Sequence, residues 1–465
     1  MLDKIFKLKE NNTTVKTEIV AGLTTFLAMA YILAVNPGML SAAGMDKGAV
    51  FTATALSAAL ATFIMGFFAN YPVALASGMG LNAYFTFTVC LGMDIQAEAA
   101  WKVALTAVLV EGIIFIILSL FKFREKLVNS IPANLKYGIT AGIGLFITIV
   151  GMKGANIVVT DATAVDGVVS SSTLVKLGDF SSPNVILALI GLLIVGVLMA
   201  YKVKGAILIG IIATWIMGII AELGGWYVPG VMGESVIPSF KDWSFLPPSL
   251  GPTFLEFDFP WVANNILNFA IIVFAFLFVD LFDTVGTLVG VASKGNLLNE
   301  KGELPRAGRA LLSDAIGTVA GAVLGTSTVT SYVESSAGVS EGGRTGLTAV
   351  TTGVLFLVAL FFAPIFLAIP GFATAPALII VGMLMMSSVT KMSFDGDLAD
   401  TIGGFLAIAV MPFTYSIANG IMFGMLAWVI IKLASGKWKD ISPVMYVSAA
   451  LFAVRIVTLV FHVAS

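Results

Sequence analysis

Acidic side chains stand inside two apolar stretches of this chain. Asp280 and Asp283 lie three residues apart in FLFVDLFDTVGTLVG, and Glu334 lies in TSYVESSAG. Because an acid in a membrane span costs at least about 2.5–3.5 kcal/mol on insertion scales, such a residue faces a cavity or a partner. Residues three apart on a helix share a face, so the two aspartates can reach each other or a common ligand. These acids predict a site for a small polar solute.

Proton chemistry in this chain would depend on carboxylates. The one histidine, His462, lies close to the end of the sequence and outside the long apolar stretches. Asp283 is therefore the best candidate for proton coupling, and Asp280 either shares this role or ties helices together. Glu111 and Asp314 are expected to form hydrogen bonds between helices.

A β-branched run precedes Glu334. The run from Thr328 to Val333 changes into the Ser-Ser-Ala-Gly of residues 335–338, which predicts a few extended residues and then a short helix within the membrane. The start of such a helix presents unpaired N–H groups, so a carboxylate beside it is stabilised when ionised and can accept hydrogen bonds from a ligand. The alternative for Glu334 is an internal salt bridge with Arg344.

A similar interruption surrounds Asn82 in ASGMGLNAYF. Gly78 and Gly80 break the helical pattern, and the Asn82 amide offers both a donor and an acceptor. Two interrupted segments, one with Glu334 and one with Asn82, suit a flat heterocycle rich in both kinds of group.

The composition is that of a membrane protein. Of 465 residues, 58% are hydrophobic and 11% charged, and the mean hydropathy is +1.00; soluble domains have about 25% charged residues. The net charge of -2 excludes a basic nucleic-acid-binding surface. With one cysteine, Cys90, and one histidine, the chain has no internal disulfide or histidine-based metal site, and we expect no metal and no cofactor. The same scarcity argues against a membrane-embedded enzyme with a nucleophile–base pair.

Apolar segments of about 20 residues, enough to cross about 30 Å of hydrocarbon, recur along the whole chain. They predict an all-α polytopic membrane protein with 14 transmembrane segments. The tail at 444–464, which contains Arg455, either spans, tilts or lies at the interface. The predicted spans are 17–37, 49–69, 72–92, 99–121, 132–152, 184–201, 204–222, 262–291, 307–325, 327–343, 346–368, 373–389, 398–415 and 417–434.

The distribution of positive charge predicts the orientation. With a cytoplasmic N-terminus, 19 of the 25 Lys and Arg residues fall on inner segments and five on outer segments, with Arg455 in the tail. Inner loops of membrane proteins are enriched in Lys and Arg. A cytoplasmic N-terminus is therefore expected.

The two halves of the chain share a pattern. LSAALATFIMG, which begins at Leu56, aligns with LSDAIGTVAGA, which begins at Leu312, and each precedes an interrupted segment. IPANLKYGITAGIGLFI from Ile131 is then echoed by IPGFATAPALIIVGMLM from Ile369. Two units of seven spans each are inverted relative to one another, a pattern typical of transporters. The Gly- and Pro-rich stretch 223–260 is the predicted linker.

Four motifs are distributed along the chain: KLKENNTTVKTEIVAGLTTFLAMAYILAVNP, ASGMGLNAYF, FVDLFDTVGTLVG and TSYVESSAGVSEGGRTGLTA. Together they resemble the AzgA-like purine permeases of the nucleobase–cation symporter superfamily, and the resemblance covers essentially the whole chain. It implies two inverted seven-span repeats, with short extended stretches preceding half-helices in spans 3 and 10. It also implies proton symport of hypoxanthine, guanine or adenine across the plasma membrane into the cell.

The resemblance also assigns roles to residues. Thr287 stands where the uracil carriers have a histidine, four residues after the span 8 acid, so the coupling role falls again on Asp283. The implied substrate-binding positions are Asp283, Glu334, Asn82 and Gly80, together with backbone groups of Tyr332 and Val333.

The resemblance divides the chain into a core domain and a gate domain. It implies purine nucleobases, protons and the lipid bilayer as partners, and it leaves open a homodimer through the gate domain. The alternative is an anion carrier or channel of the same fold, which would place Lys or Arg where this chain has Asn82 and Glu334. The implied parts are 17–121 and 262–368 (core), 132–222 and 373–434 (gate), 223–260 (extracellular linker) and 441–465 (apolar tail).

Overall fold

The structure, a computed structural model, describes residues 2–92, 95, 99–120, 132–160, 163–165, 168–170, 175–238, 246–299 and 304–461. Several basic positions that entered the orientation argument lie outside these residues, as does the single histidine. They are Lys122, Arg124, Lys126, Lys241, Lys301 and His462.

Helices dominate the first half of the chain. Two of them continue as π-helical turns, over Met65–Ala69 and Tyr84–Cys90. The elements are α1 (Leu2–Phe6), α2 (Val15–Met29), α3 (Ile32–Ser41), α4 (Lys47–Ile64), β1 (Leu75–Ser77), α5 (Met79–Ala83), α6 (Ala100–Leu120), α7 (Ala133–Gly154), β2 (Val158–Thr160), β3 (Thr163–Val165), β4 (Val168–Ser170), β5 (Val175–Leu177), α8 (Pro183–Ala200) and α9 (Ala206–Leu223).

The second half has the same character. Short 3-10 turns occur at Leu360–Phe362, Ser387–Lys391 and Trp438–Asp440. The elements are α10 (Phe259–Asn264), α11 (Ile266–Lys294), α12 (Ala307–Leu324), β6 (Val329–Ser331), α13 (Ser335–Ser340), α14 (Gly346–Ala359), α15 (Ala363–Leu367), α16 (Gly371–Met386), α17 (Leu398–Thr414), α18 (Ile417–Ala434) and α19 (Pro443–Phe461).

Polar residues mark where many of these helices begin. Their side chains accept a hydrogen bond from a first-turn N–H group, which would otherwise have no partner inside the helix. Helix-capping side chains of this kind belong to Thr14, Asp46, Asp258, Thr345, Asp397 and Ser416.

The chain is a multi-pass membrane protein. Among the described residues, eleven helical stretches are long and apolar enough to cross a bilayer, and Leu398–Thr414 and Met445–Val454 are shorter apolar helices. Their bounds follow hydropathy closely: predicted span 204–222 is observed as Ala206–Leu223, and predicted span 184–201 as Pro183–Ala200. Predicted spans 72–92 and 327–343 are interrupted, because each consists of a short strand followed by a short helix.

The long helices pack in two groups. Helices α2, α3, α4, α6, α11, α12 and α14 form the first group, and α7, α8, α9, α16, α17 and α18 form the second. Small residues allow close approach in the second group: a Cβ atom at Gly138 of α7 would lie 2.5 Å from the carbonyl oxygen of Gly404 in α17. The groups meet where α9 contacts α2 and α7 contacts α5. An ion pair of 2.5 Å joins Lys204, just before α9, to Glu341, just after α13.

Two short strands, one from each half of the chain, pair with each other inside the first group of helices. We call this strand pair the strand crossing. β1 and β6 pair antiparallel, with Leu75 opposite Ser331 and Ser77 opposite Val329, and both strands are fully buried. Non-helical backbone is tolerated at membrane depth only where the protein itself supplies hydrogen-bond partners. Pairing with each other satisfies that requirement on one side of each strand.

Threonines on neighbouring helices bond the outer edges of the strand pair. Thr62 on α4 donates to the Leu75 carbonyl over 3.1 Å and accepts from the Leu75 N–H over 2.9 Å. Thr318 on α12 donates to the Val329 carbonyl over 2.9 Å. These bonds fix the position of both strands and therefore of the residues that follow them.

The described parts of segment 223–260, residues 223–238 and 246–260, pack on both groups of helices. The Trp215 indole on α9 donates to the carbonyl of Val236 over 2.7 Å. On the other group, Lys102 of α6 pairs with Glu256 over 2.6 Å. The segment therefore connects the two groups as well as the two halves of the sequence.

Candidate functional site

Glu334 lies between β6 and α13, immediately before the first residue of α13, and its side chain is partly buried. The Tyr31 hydroxyl donates to its Oε1 atom over 2.6 Å. Tyr31 is 1% exposed and occupies the break between α2 and α3. A hydrogen bond to a charged group is worth about 1.5–3 kcal/mol, so Tyr31 holds the carboxylate in one orientation.

The salt bridge considered between Glu334 and Arg344 is absent. The Arg344 guanidinium donates instead to the carbonyls of Val339 and Gly343, each over 2.7 Å. Its backbone N–H donates to Glu18, a fully buried acid whose carboxylate binds the first turn of α14. Glu334 is thereby left to face Tyr31 and the crossing strands.

Asp283 on α11 is the second partly buried acid at this crossing, and it lies within electrostatic range of Glu334. Gly78, which precedes α5, faces it. A Cβ atom at Gly78 would lie 3.5 Å from Asp283 Oδ2 and 2.5 Å from the methyl carbon of Thr330. The Gly78 backbone has φ −71° and ψ 129°, which any residue can adopt. The missing side chain therefore matters for space: it leaves room in front of the Asp283 carboxylate.

Asp280 belongs to a different set of contacts. It is fully buried, and it accepts a hydrogen bond from Thr284, one turn along α11, over 2.9 Å. The same hydroxyl lies 3.0 Å from both oxygens of Asp314 on α12 and 2.8 Å from the hydroxyl of Thr330. Asp280 thus has its own hydrogen-bond partners, although it lies within electrostatic range of Asp283. Across the residues that the structure describes, no group of three or more His, Cys, Asp or Glu side chains could hold a metal ion.

Two of the other predicted acids, Glu111 and Asp314, bond the non-helical segment that precedes Glu334; of the two, Asp314 also contacts a neighbouring helix, through Thr284. Glu111 on α6 accepts from the Thr328 hydroxyl over 2.7 Å. Asp314 accepts from the backbone N–H of Ser331 over 3.1 Å, so it also fixes the edge of β6.

The Asn82 amide is engaged inside the protein. Its oxygen accepts from the hydroxyl of Ser327, and its nitrogen donates to the Ser77 carbonyl over 3.4 Å. The residue is fully buried. Asn82 therefore links the two interrupted segments, one from each half of the chain.

Tyr332 and Val333 connect β6 to Glu334. Both backbone groups of Tyr332 are bonded within the protein: its N–H donates to the Ala74 carbonyl and its carbonyl accepts from Ser335. The Tyr332 hydroxyl donates to the Ser77 carbonyl over 2.6 Å. Val333 is 46% exposed, and within the described part of the chain no acceptor meets its N–H group. Val333 is thus the more accessible of the two backbones.

Gly80 and Thr287 lie at the edge of this site. A Cβ atom at Gly80 would lie 2.8 Å from the Ile143 Cγ2 atom, so this glycine lets α5 approach α7 of the second helix group. Thr287 is buried, one turn after Asp283 on α11.

Tyr31, Gly78 and Thr330 were not predicted as site residues. Tyr31 had a faint signal, since it is a lone aromatic hydroxyl in the apolar stretch FLAMAYILAV. The sequence pattern predicts Gly78 only as a helix breaker. The contacts of both join the two halves of the chain, which local sequence pattern does not show.

A family model described as the permease family matches residues 16–423 of the chain. The chain belongs to the permease family. This permease is therefore a transporter and not an enzyme.

Named relatives resemble the permease over nearly its full length. A guanine/hypoxanthine permease of Bacillus subtilis is 44% identical, with 97% of this chain and 99% of the relative covered. An adenine permease of Escherichia coli is 40% identical, with 99% and 97% covered.

A solved structure shares the fold of the permease. The transmembrane domain of a cyanobacterial bicarbonate transporter aligns with a TM-score of 0.62, covering 89% of this chain and 97% of that chain. Sequence identity is 17%, so this likeness shows the fold alone.

Proposed function

We propose that this permease carries purine nucleobases into the cell together with protons. The observation that carries the proposal is full-length similarity, at 44% and 40% identity, to a guanine/hypoxanthine permease and an adenine permease. The substrate class therefore comprises hypoxanthine, guanine and adenine.

In this proposal the edges of the purine ring contact Glu334, Asp283 and Val333. The two carboxylates accept hydrogen bonds from purine N–H groups, and the Val333 N–H donates to a ring nitrogen or carbonyl oxygen. Tyr31 holds Glu334 in place for this role. Asn82, whose amide is already bonded, acts by fixing the two interrupted segments relative to each other. Gly80 and Tyr332 shape the surrounding backbone.

Asp283 is the proton carrier in this proposal, and Asp280, three residues earlier on α11, is the second candidate. Protonation of Asp283 from outside removes one negative charge from a site of low dielectric constant that also holds Glu334 and has Asp280 nearby, which favours entry of a neutral base. After the site opens to the cytoplasm, base and proton leave together. The coupling ion is H⁺, and the proposal requires no other cofactor.

The proposal includes fourteen spans in two inverted seven-span repeats. Eleven apolar helical stretches, the shorter helix Leu398–Thr414 and the two interrupted segments support this count, which leaves the apolar helix Met445–Val454 in the tail outside it. Thr62 and Thr318, which align in the sequence repeat, each bond the first residue of the strand that follows their helix. An inverted repeat is a simple explanation for this matched pair of contacts.

The two helix groups are the proposed core and gate domains. Core residues 17–121 and 262–368 carry Asp283 and Glu334, and gate residues 132–222 and 373–434 contain the helices of the second group. Movement of the core against the gate gives alternating access. We place the N-terminus in the cytoplasm, the linker 223–260 outside and the protein in the plasma membrane, in agreement with the charge distribution. A dimer would form through the gate domain.

Uptake of radiolabelled hypoxanthine tests the proposal. Cells that lack their own purine carriers would express the wild-type protein, D283N, E334Q and the control E222Q, whose acid caps the linker by binding Ser235 and Val236. We expect uptake that guanine blocks and a protonophore abolishes, lost in D283N and E334Q and retained in E222Q.

The outcomes separate the parts of the proposal. Absence of uptake of any purine by protein present at the membrane would overturn the substrate class. Purine uptake that ignores the protonophore would overturn proton coupling alone. Full activity of both D283N and E334Q would overturn the assigned site.

An anion carrier is the second candidate, favoured by the fold likeness to the bicarbonate transporter. The partly accessible charged side chains at the strand crossing are Asp283 and Glu334, both of which repel an anion. Uptake of labelled bicarbonate in the same cells, with no purine uptake, would support this candidate.

A further inference from the structure

A groove lies on the exposed surface of the first helix group, between the end of α4 and the start of α12. The two helices touch where Ala61 meets Gly317, since a Cβ atom at Gly317 would lie 2.7 Å from the Ala61 Cβ. Towards the α4 C-terminus they leave a space of about 400 Å³. The lining side chains are all apolar: Phe63, Ile64, Phe67, Phe68, Leu312 and Ile316.

Arg309 stands at the mouth of this groove. It is exposed, lies three residues before the lining residue Leu312, and holds its guanidinium 5.4 Å from the ring centre of Phe68, another lining residue. Within the described ranges, no acidic side chain forms an ion pair with it. Among the described residues, its positive charge is therefore not neutralised by a protein carboxylate.

Arg306, one turn earlier, is held differently. Its guanidinium stacks 4.4 Å from the ring centre of Tyr71 and donates to the Asn70 carbonyl over 3.2 Å. It anchors the chain ends of α4 and α12 and leaves Arg309 as the accessible cation. A planar guanidinium binds phosphate oxygens through two parallel hydrogen bonds.

We propose that an anionic glycerophospholipid binds here, with one acyl chain in the groove and its phosphate on Arg309. The apolar side chains of the groove pack against the acyl chain in place of other lipids, and the Arg309 guanidinium selects an anionic headgroup. Only the leaflet, the cytoplasmic one, rests on the proposed orientation of the protein. The site is separate from the strand crossing, so it does not depend on the transported substrate.

Lipid retention tests the proposal directly. The full-length protein would be equilibrated with equal amounts of phosphatidylglycerol and phosphatidylcholine of the same acyl chains, and the retained lipids counted by native mass spectrometry. We expect enrichment of phosphatidylglycerol, reduced about fivefold in R309Q, since one cation near an anionic surface contributes about 1 kcal/mol. K391Q, which removes an exposed cation elsewhere, keeps the enrichment.

A groove-filling variant tests the acyl chain. In L312W the indole occupies the groove, so we expect loss of the enriched lipid although Arg309 is intact. R309K keeps the charge without the planar fork and is expected to retain part of the preference. Equal retention of both lipids by the wild-type protein, or unchanged enrichment in R309Q, would overturn the proposal. Loss of lipid caused by misfolding would also appear as a lowered Tm of the purified variant, whereas R309Q is expected to keep the Tm of the wild-type protein.

Discussion

Tyr31 and Glu334 are 303 residues apart in the sequence and joined by a hydrogen bond of 2.6 Å. Tyr31 lies at the break between α2 and α3, and Glu334 lies where β6 gives way to α13. At both positions, which fall within predicted membrane spans, the backbone departs from regular helix or strand geometry. The bond therefore ties two irregular points of the fold together at the proposed site.

Substitution Y31F should weaken purine binding. The change removes one hydroxyl that donates to a carboxylate and leaves the buried ring, so Glu334 loses its fixed orientation. We expect the KM for hypoxanthine to rise about tenfold, in line with the roughly 1.5–3 kcal/mol of a charge-assisted hydrogen bond. Initial rates of uptake over a range of substrate concentrations would measure this.

Y227F is the matched control, because its hydroxyl also donates a hydrogen bond, to the Glu234 carbonyl in the linker. We expect it to leave KM unchanged. Equal effects of Y31F and Y227F would show that Tyr31 has no specific role at the site.

Substitution G78A should close the space in front of Asp283. The added methyl would lie 2.5 Å from the Thr330 methyl carbon and 3.5 Å from the Asp283 carboxylate, although the backbone angles accommodate alanine. Overpacking of this kind costs about 1–3 kcal/mol, so we expect at least a tenfold loss of uptake at low substrate concentration. The control is G38A on α3, where no atom lies within 4 Å of the added carbon. Normal uptake by G78A would contradict the spatial role of this glycine.

Lys204 and Glu341 provide a test of movement between the helix groups. Their ion pair joins the two proposed domains, and an exposed pair contributes only about 0–1 kcal/mol, so it can break during transport. In a C90A background, which lacks the single native thiol, a short bismaleimide should join the cysteines of K204C/E341C and stop uptake.

The pair Lys7 and Glu10 supplies the control, because its 3.0 Å ion pair lies within one N-terminal segment. Crosslinked K7C/E10C should transport normally. Transport by fully crosslinked K204C/E341C would mean that these two points need not separate, against the proposed core and gate movement.

Asp397 makes the stability of the α17–α18 pair depend on pH. Hydrogen bonds from Lys432 and Lys437, 2.8 and 2.7 Å long, hold the pKa of the Asp397 carboxyl far below its usual range. A lowered pKa in the folded state stabilises the protein above the ordinary pKa near ~3.9, and this stabilisation is lost as the pH falls below that value.

D397N should therefore lower Tm at neutral pH, and the difference from the wild-type protein should shrink in acid. Asparagine also caps helices well, so the change removes mainly the charge. Thermal unfolding of purified protein, followed from neutral pH to below pH ~3.9, would measure the difference in Tm. D395N, at an exposed neighbouring position, is the control. A pH-independent difference for D397N would contradict the electrostatic explanation.

Much of the fold follows from hydropathy. Predicted span 99–121 and observed α6, Ala100–Leu120, agree because bilayer thickness sets how many apolar residues a helix needs. The two interruptions were also predicted, from Gly78 and Gly80 in one half and the β-branched run before Glu334 in the other. Each is visible locally, since glycine and β-branched residues disfavour helix over a few positions.

The local sequence pattern does not predict which residues the acids of the site contact. Spacing placed Asp280 and Asp283 on one face, but α11 turns Asp280 towards Thr284 and Asp314 and turns Asp283 towards Gly78. Residues three positions apart on a helix differ by about 60° in direction, which is enough to give two nearby side chains different hydrogen-bond partners in a packed interior.

The amino-acid sequence is sufficient to establish a polytopic membrane protein with acids at two interrupted segments, because hydrophobicity and backbone preference act over short stretches. Only the tertiary structure shows that β1 pairs with β6. It also shows that the Ser327 hydroxyl donates to the Asn82 amide oxygen and that the Tyr31 hydroxyl donates to Glu334. Those contacts join residues hundreds of positions apart. They depend on how helices pack, and buried polar groups take whichever partner that packing brings within hydrogen-bond distance.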